Sequence, residues 1–225
     1  MLRKADFVVE EDLSRVSEKL RNPQIFTPET KLVITDLDEV CVNITIKWAR
    51  KAFEAGLIKK LPSDKTIIAR KHYYIQNLLG IDQDKALALY RTSDYYDDLE
   101  PTRLGKGLMT AASLGQIHLV ILSHCTPEVE ASKKRFCKKY FPGVLLILVP
   151  EDVKKSKAIH DNDLNRYNLF IDDSPPVLKD IIVNTASQGK EFLCPRYGYN
   201  ADFVKENAED IANNGIDFNH FTEVQ

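Results

Sequence analysis

Five short apolar stretches punctuate the chain: Lys31–Thr35, Ile117–Leu122, Val144–Val149, Asn168–Ile171 and Glu191–Cys194. Each is a continuous run rich in Val, Ile and Leu rather than an alternation. That pattern suits parallel strands buried on both faces. Between the runs, apolar positions recur at helical spacing, as in Val129, Phe136 and Tyr140, and in Val177, Leu178, Ile181 and Ile182. Start signals mark several of these helices. Thr126-Pro127-Glu128 supplies a cap residue, a proline at the first helical position and an acid in the first turn, and Ser174-Pro175 repeats the device. Ser156 is expected to cap a helix beginning at Lys157. Strands alternating with helices predict an α/β chain with a doubly wound parallel, Rossmann-like sheet.

The stretch from Cys41 to Glu100 breaks this rhythm, since it contains no convincing strand. It reads as helices interrupted at Gly56, at Pro62-Ser63 and at Gly80-Ile81-Asp82. A crossover between parallel strands needs only about a dozen residues, so residues 41–100 are expected to form a small helical cap inserted in a core of residues 1–40 and 101–225. A helix from Leu104 to Leu114, closed by Gly115, leads back into that core. Residues 1–30 suggest one further helix, with Leu13, Val16 and Leu20 on one face.

Composition narrows the classes. At 225 residues, 44% apolar and with a formal charge of -2, the chain can bury a core and carries no field that demands nucleic acid or an anionic membrane. The basic run Lys133, Lys134, Arg135, Lys138 and Lys139 reads as a solvated helix face. Four scattered cysteines form no CxxC pair and no zinc spacing. No apolar run approaches the roughly 18 residues of a membrane span, and the charged N-terminus has no apolar signal core. A soluble, reducing, cytoplasmic setting is the expectation.

In open α/β sheets, ligands bind beyond the carboxyl ends of the strands. The first strand ends in Asp36-Leu37-Asp38 and the second in Ser123-His124-Cys125. Lys157 opens the helix after the third, and the fourth ends in Asp172-Asp173. Any one of these has an ordinary turn or capping explanation, but four at successive strand ends converge on one crevice. Each type has a task in phosphoryl transfer. A carboxylate attacks phosphorus, and a second one, two residues on, protonates the leaving oxygen and then deprotonates water. An all-carboxylate metal site suits Mg²⁺. Ser123 with the amides behind it, and the Lys157 ammonium, suit the transferring oxygens.

The stretch Lys31-Leu32-Val33-Ile34-Thr35-Asp36-Leu37-Asp38-Glu39-Val40 resembles the first motif of the haloacid dehalogenase (HAD) superfamily. His118-Leu119-Val120-Ile121-Leu122-Ser123 resembles the second, Lys157 the third-motif lysine, and Phe170-Ile171-Asp172-Asp173 the acidic fourth. The resemblance covers residues 31 to 200. It implies Asp36 as nucleophile and metal ligand, and Asp38 as acid/base lending a backbone oxygen to the metal. It further implies Asp172 and Asp173 as Mg²⁺ ligands and Ser123 and Lys157 as phosphate contacts; His124 is a further candidate contact. Glu39 departs from the family's usual Gly, and Lys154 and Lys155 compete with Lys157, which is preferred because it heads the helix after Ser156. Asp38 separates the chain from true dehalogenases, and the lysine preceding the acidic pair separates it from receiver domains.

The implied activity is Mg²⁺-dependent hydrolysis of a small phosphorylated metabolite. The cap resembles that of (deoxy)nucleotide 5'-phosphatases, which places a mononucleotide ahead of sugar phosphates. Trp48, His72, Tyr73, Tyr74, Tyr95 and Tyr96 are available for base stacking, or as the cap's own core. Arg196 is a candidate for the site rim. Two other readings stand beside this one, a nucleic-acid end phosphatase and a non-catalytic protein-binding relative, and a homodimer is left open.

Overall fold

The computed structural model describes residues 30–200 apart from 188 and 196; the helix expected within residues 1–30 and the rim candidate Arg196 lie outside the described residues. Strands β1 (Lys31–Thr35), β2 (Ile117–Cys125), β3 (Leu145–Pro150), β4 (Leu169–Ile171) and β5 (Glu191–Leu193) form one parallel sheet in the order β3-β2-β1-β4-β5. All five predicted runs are strands. The second runs on past Leu122 to Cys125, so Ser123 and His124 are still paired, with Leu148 and Val149.

Helices α1 (Ile44–Glu54), α2 (Asp64–Ile68), α3 (Ile75–Leu79), α4 (Gln83–Tyr90) and α5 (Arg103–Ser113) separate β1 from β2. The expected breaks fall where predicted. Gly56 has a φ of 69°, Gly80 ends α3 in the left-handed conformation, and Ser63 and Asp82 cap α2 and α4 with their side chains. Helix α6 (Pro127–Tyr140) joins β2 to β3, α7 (Lys155–Asp161) joins β3 to β4, and α8 (Pro175–Asn184) joins β4 to β5.

Alternate strand residues feed two cores, one on each sheet face, as continuous apolar runs require. Val33, Leu119, Ile121, Leu146 and Leu148 pack with Val129 and Phe136 of α6; Leu32, Ile34, Val120 and Ile147 pack with Ile159, Leu178 and Ile181 of α7 and α8. The first core continues into the long insertion through an aromatic chain. Trp48 stacks on Tyr90 at 5.3 Å, Tyr90 meets Tyr95 at 4.9 Å, and Tyr96 meets Phe136 at 6.2 Å. Trp48, Tyr95 and Tyr96 are therefore core residues. Tyr73 and Tyr74 stay exposed.

From β1 the chain winds outward through β2 and β3, then returns to the other side of β1 for β4 and β5. The order reverses between β1 and β4, and a crevice opens at such a switch point.

Candidate active site

Asp36 follows β1 at this switch point. Its amide donates to the Ile171 carbonyl at 2.8 Å, and its own Oδ1 accepts from the Leu37 amide at 2.7 Å. Asp172 and Asp173 follow β4 on the neighbouring strand. Carboxylate oxygens of Asp36, Asp172 and Asp173 lie within 4.8 Å of one another, and all three residues are buried. Lys155 joins two of them, with Nζ 3.0 Å from Asp36 Oδ1 and 2.8 Å from Asp172 Oδ2.

The electrostatics follow from this crowding. Burial would raise the Asp36 carboxyl, but the Lys155 and Lys133 ammonium groups outweigh it and hold Asp36 below the usual range. Burial pushes Asp172 up to about 6 against the pull of Lys155, with Asp36 adding to the rise. Burial and then the charges of Asp172 and Asp36 drive Asp173 well above the usual range. One lysine does not neutralise three buried acids. A set of hard oxygen donors with surplus negative charge fits a divalent cation of the oxygen-preferring kind.

Residues after β5 brace the cluster. Tyr199 donates its hydroxyl to Asp173 Oδ2, and the buried Asn200 amide bonds the Asp173 carbonyl at 3.0 Å and the Pro195 carbonyl at 2.8 Å. The loop passes tightly against the insertion. A Cβ on Gly198 would lie 2.3 Å from the Ala69 carbonyl oxygen, so only glycine fits there.

Asp38 turns away from the acidic cluster. Its Oδ1 accepts from Tyr96 Oη at 2.7 Å and its Oδ2 from Lys133 Nζ at 2.8 Å. Burial raises its carboxyl, Lys133 opposes that, and Asp36 adds to it. Lys133 also donates to Ser123 Oγ at 3.0 Å and to the His124 carbonyl. Ser123 is thus tied to the same crevice. The His124 ring instead meets the Val153 carbonyl at 3.0 Å, and burial lowers its pKa.

Two lysine expectations need correction. Lys157 does not reach the crevice: its side chain is 63% exposed and pairs with Asp161 one turn on. Helix α7 starts two residues earlier than the Ser156 signal suggested, with Lys154 at the cap position, so Lys155 occupies the inward-facing place. Lys133 belongs to the basic run read as a solvated face, yet it is fully buried. It sits on the stripe of Val129 and Phe136, one turn after the first and one before the second, and that spacing was the available signal. Tyr199 and Asn200 had none, and Tyr96 stood out only as a stacking or core aromatic, because an aromatic or an amide near a site looks like any other packed residue.

Glu39, where the resembled family has Gly, takes a φ of 57°, a conformation that costs a non-glycine residue roughly 1–2 kcal/mol. Its carboxylate accepts from the Thr45 amide and hydroxyl, both at 2.9 Å, and so caps α1. Arg70 of the insertion lies 3.7 Å from Glu39 Oε2, with its guanidinium over the Tyr199 ring at 4.5 Å. Asp38, Glu39 and Asp173 are therefore all tied to the insertion or to the loop packed on it.

No family model matches this chain, and no curated protein matches it. Similar solved structures include a HAD-superfamily hydrolase from Ehrlichia chaffeensis, 16% identical, covering 80% of this chain and 98% of that one at a TM-score of 0.46. A putative phosphatase from Clostridium difficile is 17% identical, covering 77% and 88% at 0.46. A putative beta-phosphoglucomutase from Bacteroides vulgatus is 13% identical, covering 92% and 88% at 0.43.

Proposed function

We propose that this protein is a phosphatase that hydrolyses a small phosphomonoester through an aspartyl-phosphate on Asp36. The observation that carries the reading is the position of Asp36 at the sheet's switch point, ionised beside Lys155 and between the acidic pair and Asp38. An Asp36 oxygen attacks phosphorus, the bond from phosphorus to the ester oxygen breaks, and Asp38 gives that oxygen its proton. Asp38 then takes a proton from water. The hydroxide oxygen adds to phosphorus, the bond to Asp36 breaks, and inorganic phosphate leaves. Ser123 and Lys155 receive the transferring oxygens. Asp36, Asp172, Asp173 and the Asp38 carbonyl would hold Mg²⁺, which supplies positive charge against the phosphoryl oxygens when bound.

Purified protein should release phosphate from a generic aryl phosphate only with Mg²⁺, and Asp36→Asn should lower the rate by at least about a thousandfold. Substantial wild-type activity that survives Asp36→Asn would sink the mechanism.

Residues 41–100 act in this reading as a cap that selects the leaving group. Tyr73 is half exposed, and its ring meets Tyr199 edge-on at 5.3 Å, while Tyr199 bonds Asp173. An aromatic so close to the acids favours a nucleoside 5'-monophosphate, since a base has a face to stack. Tyr73→Ala should raise KM about tenfold for mononucleotides and leave sugar phosphates unchanged; equal effects on both would remove the nucleotide preference.

A further inference from the structure

Lys133 is a charged side chain with no exposed surface that the reaction above leaves without a task. Burying an ammonium is costly unless every contact is made. Here all three are: Asp38 Oδ2 at 2.8 Å, Ser123 Oγ at 3.0 Å and the His124 carbonyl. The partners are notable for what they would do. Asp38 would handle the leaving oxygen and Ser123 would receive a phosphoryl oxygen, and they come from different strand ends with no direct bond between them among the contacts described.

The other Asp38 oxygen is held by Tyr96, whose hydroxyl also meets Tyr90 Oη at 3.1 Å, so this carboxylate is fixed at both ends. Lys133 itself is anchored by the α6 stripe of Val129 and Phe136, a rigid mount in the sheet's main core. Lys155 does different work. It contacts Asp36 and Asp172 and touches neither Asp38 nor Ser123 among the contacts described. The crevice therefore has one ammonium on the acidic cluster and another on the leaving-group side.

We propose that Lys133 is a positioning residue that holds Asp38 and Ser123 in mutual register, so that the leaving oxygen meets the Asp38 carboxyl as the phosphoryl group meets Ser123. The proposal rests on the phosphatase reading and adds to it a residue acting through Asp38. A misplaced acid matters most when the leaving group needs a proton. An alkoxide does and dinitrophenolate does not, whereas a lysine serving only the fold or only the phosphoryl oxygens affects both alike.

The experiment compares kcat/KM, which reports formation of the phospho-enzyme, for an alkyl phosphate and for 2,4-dinitrophenyl phosphate. Wild type, Lys133→Met, Tyr96→Phe and Asp38→Asn are each measured with Mg²⁺ present. Lys133→Met should lose about a hundredfold with the alkyl ester and at least tenfold less with the activated one. Tyr96→Phe, which removes a single hydroxyl and keeps the ring packing, should show the same bias at smaller size. The double variant Lys133→Met, Asp38→Asn should be no worse than Asp38→Asn alone, because residues that act as a unit are not additive. Equal losses on both esters in Lys133→Met and Tyr96→Phe, or additive losses in the double variant, would overturn the positioning role while the phosphatase reading stands. A wild-type protein that cleaves neither ester would overturn that reading, and this inference with it.

Discussion

The two sides of the crevice are built on opposite charge plans. On one side Asp36, Asp172 and Asp173 crowd together, a single lysine pairs with the first two, and negative charge is in surplus. On the other, Asp38 faces Lys133 one to one, with the Tyr96 and Ser123 hydroxyls completing the set. The first side carries charge that a cation from outside would offset; the second is complete as it stands. A phosphate ester lying between them would have its dianionic end where a metal can neutralise it and its leaving oxygen where a fixed carboxyl can serve it. The difference also places the cost. The surplus side is the strained one, because buried like charges raise each other's pKa, and the balanced side contributes to the core it sits in.

The largest test of that contrast removes each lysine in turn without metal. Lys155→Met leaves Asp36 and Asp172 buried without their paired cation, and losing one partner of a buried pair costs about 3–5 kcal/mol. Lys133→Met should cost less, about half of that, because the Asp38 side chain keeps 20% of its surface in water and retains Tyr96. Urea unfolding of the metal-free proteins reads both. A larger loss for Lys133→Met would reverse the assignment of strained and balanced sides.

A smaller effect is expected from pH. Asp172 is held at about 6 when folded, mainly by burial, and lies near 3.9 when unfolded. The native state therefore binds this proton more tightly. Stability from this group is fully present below about pH 4 and is lost as pH rises through about 6, a change of roughly 2–3 kcal/mol. In metal-free protein, the stability difference between wild type and Asp172→Asn should thus move in favour of the variant between pH 4 and 7. Saturating Mg²⁺ should flatten that slope in the wild type. A difference that moves in favour of the wild type over the same range would refute the surplus-charge account.

How much of this could be read from the chain depends on what each residue's signal competes with. Strands buried on both faces leave continuous apolar runs, so β1 to β5 and the carboxylates at their ends were legible. Helix breaks at Gly56, Ser63, Gly80 and Asp82 were legible because turn and cap chemistry is local. The lysines were not, since a long cationic side chain is normally solvated and only its place on the apolar stripe distinguishes it. Lys133 lies on the stripe of Val129 and Phe136, and Lys155 on that of Ala158 and Ile159. A basic run and a serine taken for a cap hid both. Tyr96 and Tyr199 depend on contacts across 58 and 26 residues of chain, which no local pattern records.

The smallest effect belongs to Lys157, and it tests the helix phase that the whole contrast relies on. Two residues on an α-helix are separated by about 200°, so Lys155 and Lys157 face nearly opposite ways. If α7 begins at Lys155, the Lys157 ammonium belongs to solvent, and its bond to Asp161 is an exposed pair at helical spacing. Such pairs contribute no more than about 0.5 kcal/mol. Lys157→Met should therefore change unfolding free energy by less than that and leave kcat/KM within about twofold of wild type, while Lys155→Met loses activity. A helix begun two residues later would exchange the two outcomes, because Lys157 would then lie against Asp36 and Lys155 would point outward. Measuring the pair side by side decides which lysine faces Asp36.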